Sequence, residues 1–450
     1  MILFGKGREN DKLNLFALLG KELKKQNNQV KMLVFNLSEK YIYTKNNSNI
    51  IIVEKKITNE KSLKYTDEEI EDIILYEQKI KKIAKNKLID IAKKYLKVLE
   101  KINENEKIEM CIMWNTSYLF DRALYRFCQK NKIKYFVLEN GYFRPFTLSV
   151  DKKGANYESS IKEQFEKNKN KIKLDENQLK ENLYLNTLEK NYIKRNYNFI
   201  IFYTLRIIDK CLYYKQNKFF DISETGLFSH LKKINSLKKI KIDKKELEAE
   251  YIFVPFQVEN DSQIILNSNN IKKMKDLFEI ISNSVEEINK KKNRNLKCIF
   301  KTHPVDKNIN LDEILKLEKL FKNSKIITEG NTKELIKHSK LVITINSTVG
   351  IEALVLGKPV ITLGDAFYNI NNIATKCENL NKLDKCIILK LNEKINKYEI
   401  NKFLYYLRFY YFKEINWRKP DQNSIKKLAL DMIEYKMENK KNEKNFISNK

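Results

Sequence analysis

An α/β fold of two domains built on parallel sheets is predicted by three features of the chain. Its 450 residues exceed what one typical core organises. Short apolar strands alternate with amphipathic helices in two separate stretches, residues 1–158 and 251–398. Polar clusters recur where those strands end, the edge at which open α/β sheets bind ligands.

The first stretch opens with a strand at 2–4, a polar glycine loop at 5–11 and a helix at 13–25, followed by a strand at 30–35. Residues 66–107 read as one long charged helical stretch with periodic Ile and Leu. A strand at 108–114, a helix at 118–130 and a strand at 133–138 complete the domain. Residues 159–250 differ: they are helical, lysine-rich and dense in aromatics, with an apolar run at 197–205 broken by Arg206 and Asp209. That run reads as a helix buried between domains, or as an interfacial helix on anionic lipid. Alternation resumes with strands at 251–255, 296–302, 326–327, 341–345 and 359–363, and helices at 271–291 and 332–338. Residues 399–450 form aromatic-rich helices ending in a Lys/Asn tail after Glu438, expected to be disordered.

Lys and Arg number 87 against 58 Asp and Glu, a net charge of +29. Such a surface attracts nucleic acid, anionic lipid or anionic sugar donors, and biased base composition can produce it too. No nucleic-acid-binding motif accompanies it, so no nucleic-acid partner is expected. The six cysteines show no CxxC pair and no metal-like spacing with the three histidines, which points to a reducing, cytoplasmic setting. The start lacks the layout of a signal peptide, and no run of eighteen apolar residues spans a membrane.

Four polar clusters lie at strand exits. Glu139-Asn140-Gly141 with Arg144 follows the strand at 133–138 and joins a carboxylate, an amide and a guanidinium at a turn that Gly141 permits. Gln257 to Gln263, including Asp261 and Ser262, follows 251–255. Lys301 and His303 end the strand at 296–302, where an imidazole can contact a phosphate or protonate a leaving group. Asn346, Ser347 and Thr348 open a helix after 341–345 and can cap it or hold a phosphate.

These residues carry a resemblance. Trp114-Asn115, Glu139-Asn140-Gly141-Tyr142-Phe143-Arg144-Pro145, Gly154-Ala155-Asn156, Pro255-Phe256-Gln257, Asp261-Ser262-Gln263, His303-Pro304, Asn346-Ser347-Thr348-Val349-Gly350, Gly357-Lys358-Pro359 and Gly364-Asp365-Ala366-Phe367-Tyr368 stand in this order. So arranged, the chain resembles the bacterial capsule polysaccharide synthesis family, in its β-Kdo transferase branch acting on phospholipid. The resemblance implies two Rossmann-like domains, a GT-B-like glycosyltransferase with additional helices. It implies retaining transfer from CMP-β-Kdo to a (lyso)phosphatidylglycerol-type lipid, without cofactor or metal, at the inner face of the cytoplasmic membrane. A second Kdo transferase and capsule export machinery are the implied partners.

By the same resemblance, which extends to bacterial CMP-sialic acid transferases, Glu139 is the catalytic carboxylate and His303 the phosphate contact, joined by Ser347 and Thr348. Arg144 holds the Kdo carboxylate or an acceptor phosphate. Asn115, Asn140, Gly141, Gln257, Asp261, Ser262, Gln263, Lys301 and Asn346 bind substrate. Related motifs often carry a second acid where this chain has Asn140. Another CMP-sugar or surface-polysaccharide transferase is the alternative, and a basic binding protein without catalysis stands behind it.

Overall fold

The computed structural model describes residues 1–56, 64–81, 83–143, 147–184, 197–216, 239–304, 306 and 309–447. Arg144 and His230 lie outside them. The chain divides into two units that interleave in sequence. The first is Met1–Ala155, Tyr184–Thr225 and Arg408–Lys450; the second is Asn156–Leu183 and Gly226–Leu407.

The first unit carries strands β1 (Ile2–Phe4), β2 (Val30–Val34), β3 (Ile50–Ile52), β4 (Met110–Trp114), β5 (Lys134–Asn140), β6 (Thr147–Asp151) and β13 (Lys413–Glu414). The sheet order is β13-β6-β5-β4-β1-β2-β3, with β1 to β5 parallel and β6 antiparallel to both its neighbours. Strands β3-β2-β1-β4-β5 thus follow the order of a Rossmann sheet, whose direction reverses between β1 and β4. Both faces are covered. Leu3 of β1 faces the helices Asp67–Ile80, Lys85–Asn105 and Leu119–Lys130, alongside Tyr95, Leu99 and Phe120. Ile2 and Phe4 face the other layer, with Phe16, Trp114, Trp417 and Met432. Burying each such side chain contributes about 1.5–3 kcal/mol.

The second unit carries β7 (Tyr251–Pro255), β8 (Lys297–Lys301), β9 (Ser324–Ile327), β10 (Leu341–Thr344), β11 (Val360–Thr362) and β12 (Thr375–Lys376). All six run parallel in the order β12-β11-β10-β7-β8-β9, again a Rossmann order, with its reversal between β7 and β10. The central strands β7, β10 and β11 are buried along their whole length because helices such as Met274–Lys292 and Leu383–Asn392 cover the sheet.

Several local expectations change. The stretch 66–107 is two helices, broken before Lys85. The first is started by a capping box between Thr66 and Glu69. Strand β5 runs on through Glu139 and Asn140, which pair with Ser149 and Leu148, so both belong to the strand and not to the turn. Gly141 is required for another reason than turning: a Cβ there would lie 2.2 Å from Thr147 Oγ1 and 2.6 Å from its carbonyl oxygen. The helix Tyr197–Gln216 belongs to the first unit. Phe202 and Arg206 are buried, while Ile200, Tyr203, Ile207 and Ile208 are exposed. The last helix, Gln422–Ile447, continues through the stretch expected to be a disordered tail. All six cysteines are free thiols.

Candidate active site: two strand-end constellations

In the first unit, β4 ends at Trp114 and the next residue, Asn115, takes φ 71°, a left-handed conformation that asparagine tolerates better than most residues. Its backbone N–H still donates to Leu138 O at 2.9 Å, which keeps it in the ladder beside β5. The Asn115 side chain then works in two directions. Its Oδ1 accepts from the backbone N–H groups of Thr116 and Ser117, each at 2.6 Å. Its Nδ2 donates to Glu139 Oε2 at 2.6 Å. The other oxygen, Oε1, accepts from Asn140 N at 2.8 Å. Glu139 is half-buried and held by two donors at the carboxyl edge of the sheet. Beside it, Asn140 Oδ1 is buried with no partner among the described residues. Such an acceptor costs about 1–3 kcal/mol unless water or a ligand donor meets it.

In the second unit, Gln257 and Asn346 follow β7 and β10, the two strands at the reversal. Gln257 Oε1 accepts from Asn346 N at 3.1 Å and from Thr344 Oγ1 at 3.2 Å, and its Nε2 donates to Asn346 Oδ1 at 3.0 Å. Asn346 Nδ2 donates to Gln263 O at 2.9 Å. Asp261 caps the six-residue helix Ser262–Asn267 by accepting from Gln263 N at 2.8 Å. The Gln263 side chain accepts from Asn267, and Ser262 is buried. These amides are brought together, but largely by bonds to one another.

Thr348 precedes the helix Val349–Val355 without making a side-chain cap bond. Ser347 does that work, its Oγ accepting from Val349 N at 3.2 Å. Tyr368 donates to Ser347 O at 2.6 Å, an approach that requires glycine at 350, where a Cβ would lie 2.4 Å from the phenol oxygen. Lys301 is half-buried, its ammonium pKa lowered by burial and partly restored by Glu352. His303 faces Asp306 and Asp261 instead. Burial lowers its pKa below 6.5 despite those carboxylates, so the ring is neutral at pH 7.

The profile described as "Capsule polysaccharide biosynthesis protein" matches residues 109–385, more than half of the chain. The chain belongs to the capsule polysaccharide biosynthesis family. Every candidate residue, from Asn115 to Thr348, lies inside the matched span. Among individual proteins, Protein FixF of Sinorhizobium fredii is 34% identical over 179 residues, 40% of this chain and 41% of FixF. The chain therefore spans less than half the length of that relative. Among solved structures, the β-Kdo 2,7 transferase of Thermosulfurimonas dismutans KpsC is 18% identical, covering 82% of this chain and 98% of its own at TM-score 0.39. The UDP-GlcNAc 2-epimerase of Methanocaldococcus jannaschii is 16% identical, covering 96% and 98% at TM-score 0.32. Likenesses of that degree fix neither activity nor substrate.

One part of this family member's first unit escaped the sequence reading as a site. The loop after β1, read only as a polar glycine turn, adjoins the reversal between β1 and β4 and lies outside the matched span. Arg8 bonds Asp121 at 2.7 Å and stacks on Tyr118 at 3.5 Å, while fully buried Lys6 pairs with Glu39 at 3.1 Å. Burial pushes the Asp121 carboxyl up to about 6 against the pull of Arg8. Burial also pushes Glu77 up to about 7, although Leu119 N donates to it. Arg206 donates to Arg8 O, and Asp209 accepts from Leu37 N, so the aromatic helix ties down this loop and its neighbour. The signal for it was present as two glycines flanking a lysine directly after a strand.

Proposed function

We propose that this capsule biosynthesis protein is a GT-B-type glycosyltransferase that moves Kdo from CMP-β-Kdo onto a phosphatidylglycerol-type lipid with retention of configuration. The observation that carries the reading is Glu139, fixed by Asn115 and Asn140 at a strand end beside an unfilled hydrogen-bond acceptor. In this reading a Glu139 oxygen forms a bond to the anomeric carbon as the bond to the CMP phosphate breaks, and the phosphate leaves with the electron pair. The acceptor hydroxyl then attacks that carbon, Glu139 departs as carboxylate, and the hydroxyl proton passes to solvent. Neutral His303 donates one N–H to the departing phosphate, with Ser347 and Thr348 as further donors, so no metal is needed. The Gln257–Asn346 network holds these strand ends in place. Arg144, outside the described residues, remains assigned to an anionic group of the substrates.

Contact with the inner leaflet is supported by the exposed Ile200, Tyr203, Ile207 and Ile208 on one helix and by the net charge of +29. Among the described residues, no helix is long and apolar enough to cross a membrane. Sedimentation should show binding to phosphatidylglycerol vesicles that weakens with salt, and equal binding to neutral vesicles contradicts the membrane part. Calorimetry tests the donor: CMP should bind at least ~10-fold tighter than UDP, about 1.4 kcal/mol. Equal affinities would move the function to another sugar donor.

A further inference from the structure

The chain's return to the first unit builds a cavity that none of the roles above uses. It measures about 630 Å³, within the range of small-ligand sites, and is lined by Arg408, Tyr410, Glu414, Asp421, Lys427 and Asp431 among others. Of its carboxylates, Asp431 is paired with Lys413 and Asp421 accepts from Ser424. The Tyr406–Tyr411 segment is a π-helix, a conformation found frequently at functional sites. Its Arg408 is only 6% exposed, and its Nε has no partner among the described residues. Among the described residues that guanidinium makes one ion pair, 3.1 Å to Glu414, a side chain that is 76% exposed. A buried guanidinium with one edge bare and the other held by a solvent-facing carboxylate is half of a bidentate anion site. Lys427 adds a second cation with no ion pair among the described residues. Tyr410 is 57% exposed and supplies an aromatic wall.

The cavity wall packs against the segment that follows Glu139. Phe412 packs edge-on against Tyr142 at 5.1 Å and Phe143 at 6.0 Å, the residues just after Gly141. Strand β13 pairs with β6, which pairs with the strand bearing Glu139.

We infer that this cavity binds a carboxylate-bearing saccharide, whose carboxylate displaces Glu414 from Arg408 while its ring lies against Tyr410. Its place as an acidic-sugar subsite beside Glu139 rests on the glycosyl-transfer reading; the binding itself does not. The test is titration of the intact protein with free Kdo, read by saturation-transfer NMR without turnover, with glucose titrated the same way and inorganic phosphate read as a competitor that would lower the Kdo signal. Kdo should bind while glucose and phosphate do not. Arg408→Gln should weaken Kdo by about 10- to 100-fold, the scale of a lost bond to a charged group. Glu414→Gln, at an exposed position that folding does not depend on, should tighten it up to about fivefold by removing the competitor. Kdo binding unchanged in Glu414→Gln, or glucose or phosphate binding as well as Kdo, overturns the site. Because none of these readings requires transfer, an inactive protein with CMP-Kdo leaves the result standing on its own.

Discussion

The two Rossmann-like sheets end in opposite kinds of chemistry. At the end of β4 and β5 the first unit presents a carboxylate whose donors are fixed and whose neighbouring acceptor is open. At the end of β7 and β10 the second unit presents amides that satisfy one another, beside a histidine kept neutral by burial. The same topology thus yields one edge with an open acceptor beside a carboxylate and one whose amides are satisfied beside a half-buried histidine, and the roles proposed for the two edges rest on that difference. The difference comes from which polar groups are left with unused capacity, not from strand order.

The largest effect should come from breaking the charged edge. Glu139→Gln keeps the shape and the bond from Asn140 N but removes the charge and the bond from Asn115 Nδ2, and turnover should fall by ~10²–10³ or more in a protein that still folds. His303→Ala should cost a similar ~10²–10³ by removing one preorganised donor. Steady-state kinetics on both variants checks this, and near-wild-type rates in either remove its role.

The closed edge should respond through stability. Gln257→Leu strands Asn346 N and Thr344 Oγ1, and each buried unpaired group costs about 1–3 kcal/mol. Denaturant unfolding should show that loss. Gly141→Ala should cost a comparable amount, because the added methyl meets the Thr147 backbone, which cannot swing aside.

The smallest effect concerns Glu77. Burial raises its folded pKa to about 7, above the ordinary glutamate value of 4.5. Between those values the unfolded chain has released its proton and the folded one has not, so stability falls as pH rises through that window. Glu77→Gln should therefore gain on the wild type by up to about 2–3 kcal/mol at pH 8 and hardly at all at pH 4. A gain that does not vary with pH would contradict the buried, proton-retaining carboxyl.

The parallel cores were legible because each strand is a short apolar run between turn-forming residues, as at Tyr251–Pro255 and Met110–Trp114. So were the strand exits at which Glu139, Gln257, His303 and Asn346 stand. What was hidden depends on distant partners. The bond from Asn115 to Glu139 requires a left-handed residue that composition does not mark. The β13 strand is two residues long and pairs with Thr147 and Leu148, far away in sequence. Gln257 reads as a substrate contact until Asn346, also remote in the chain, is seen to occupy it. The break before Lys85 has no Pro or Gly to announce it. The role of Gly141 appears only once Thr147 is placed against it.

The most direct test of the central claim is CMP release from freshly generated CMP-β-Kdo by the intact protein, with and without phosphatidylglycerol-type lipid and with Glu139→Gln as control. The account predicts lipid-dependent release, a β-linked Kdo-lipid product and loss of both in the variant. No release from CMP-β-Kdo with any anionic lipid, or release that survives in Glu139→Gln, would contradict it.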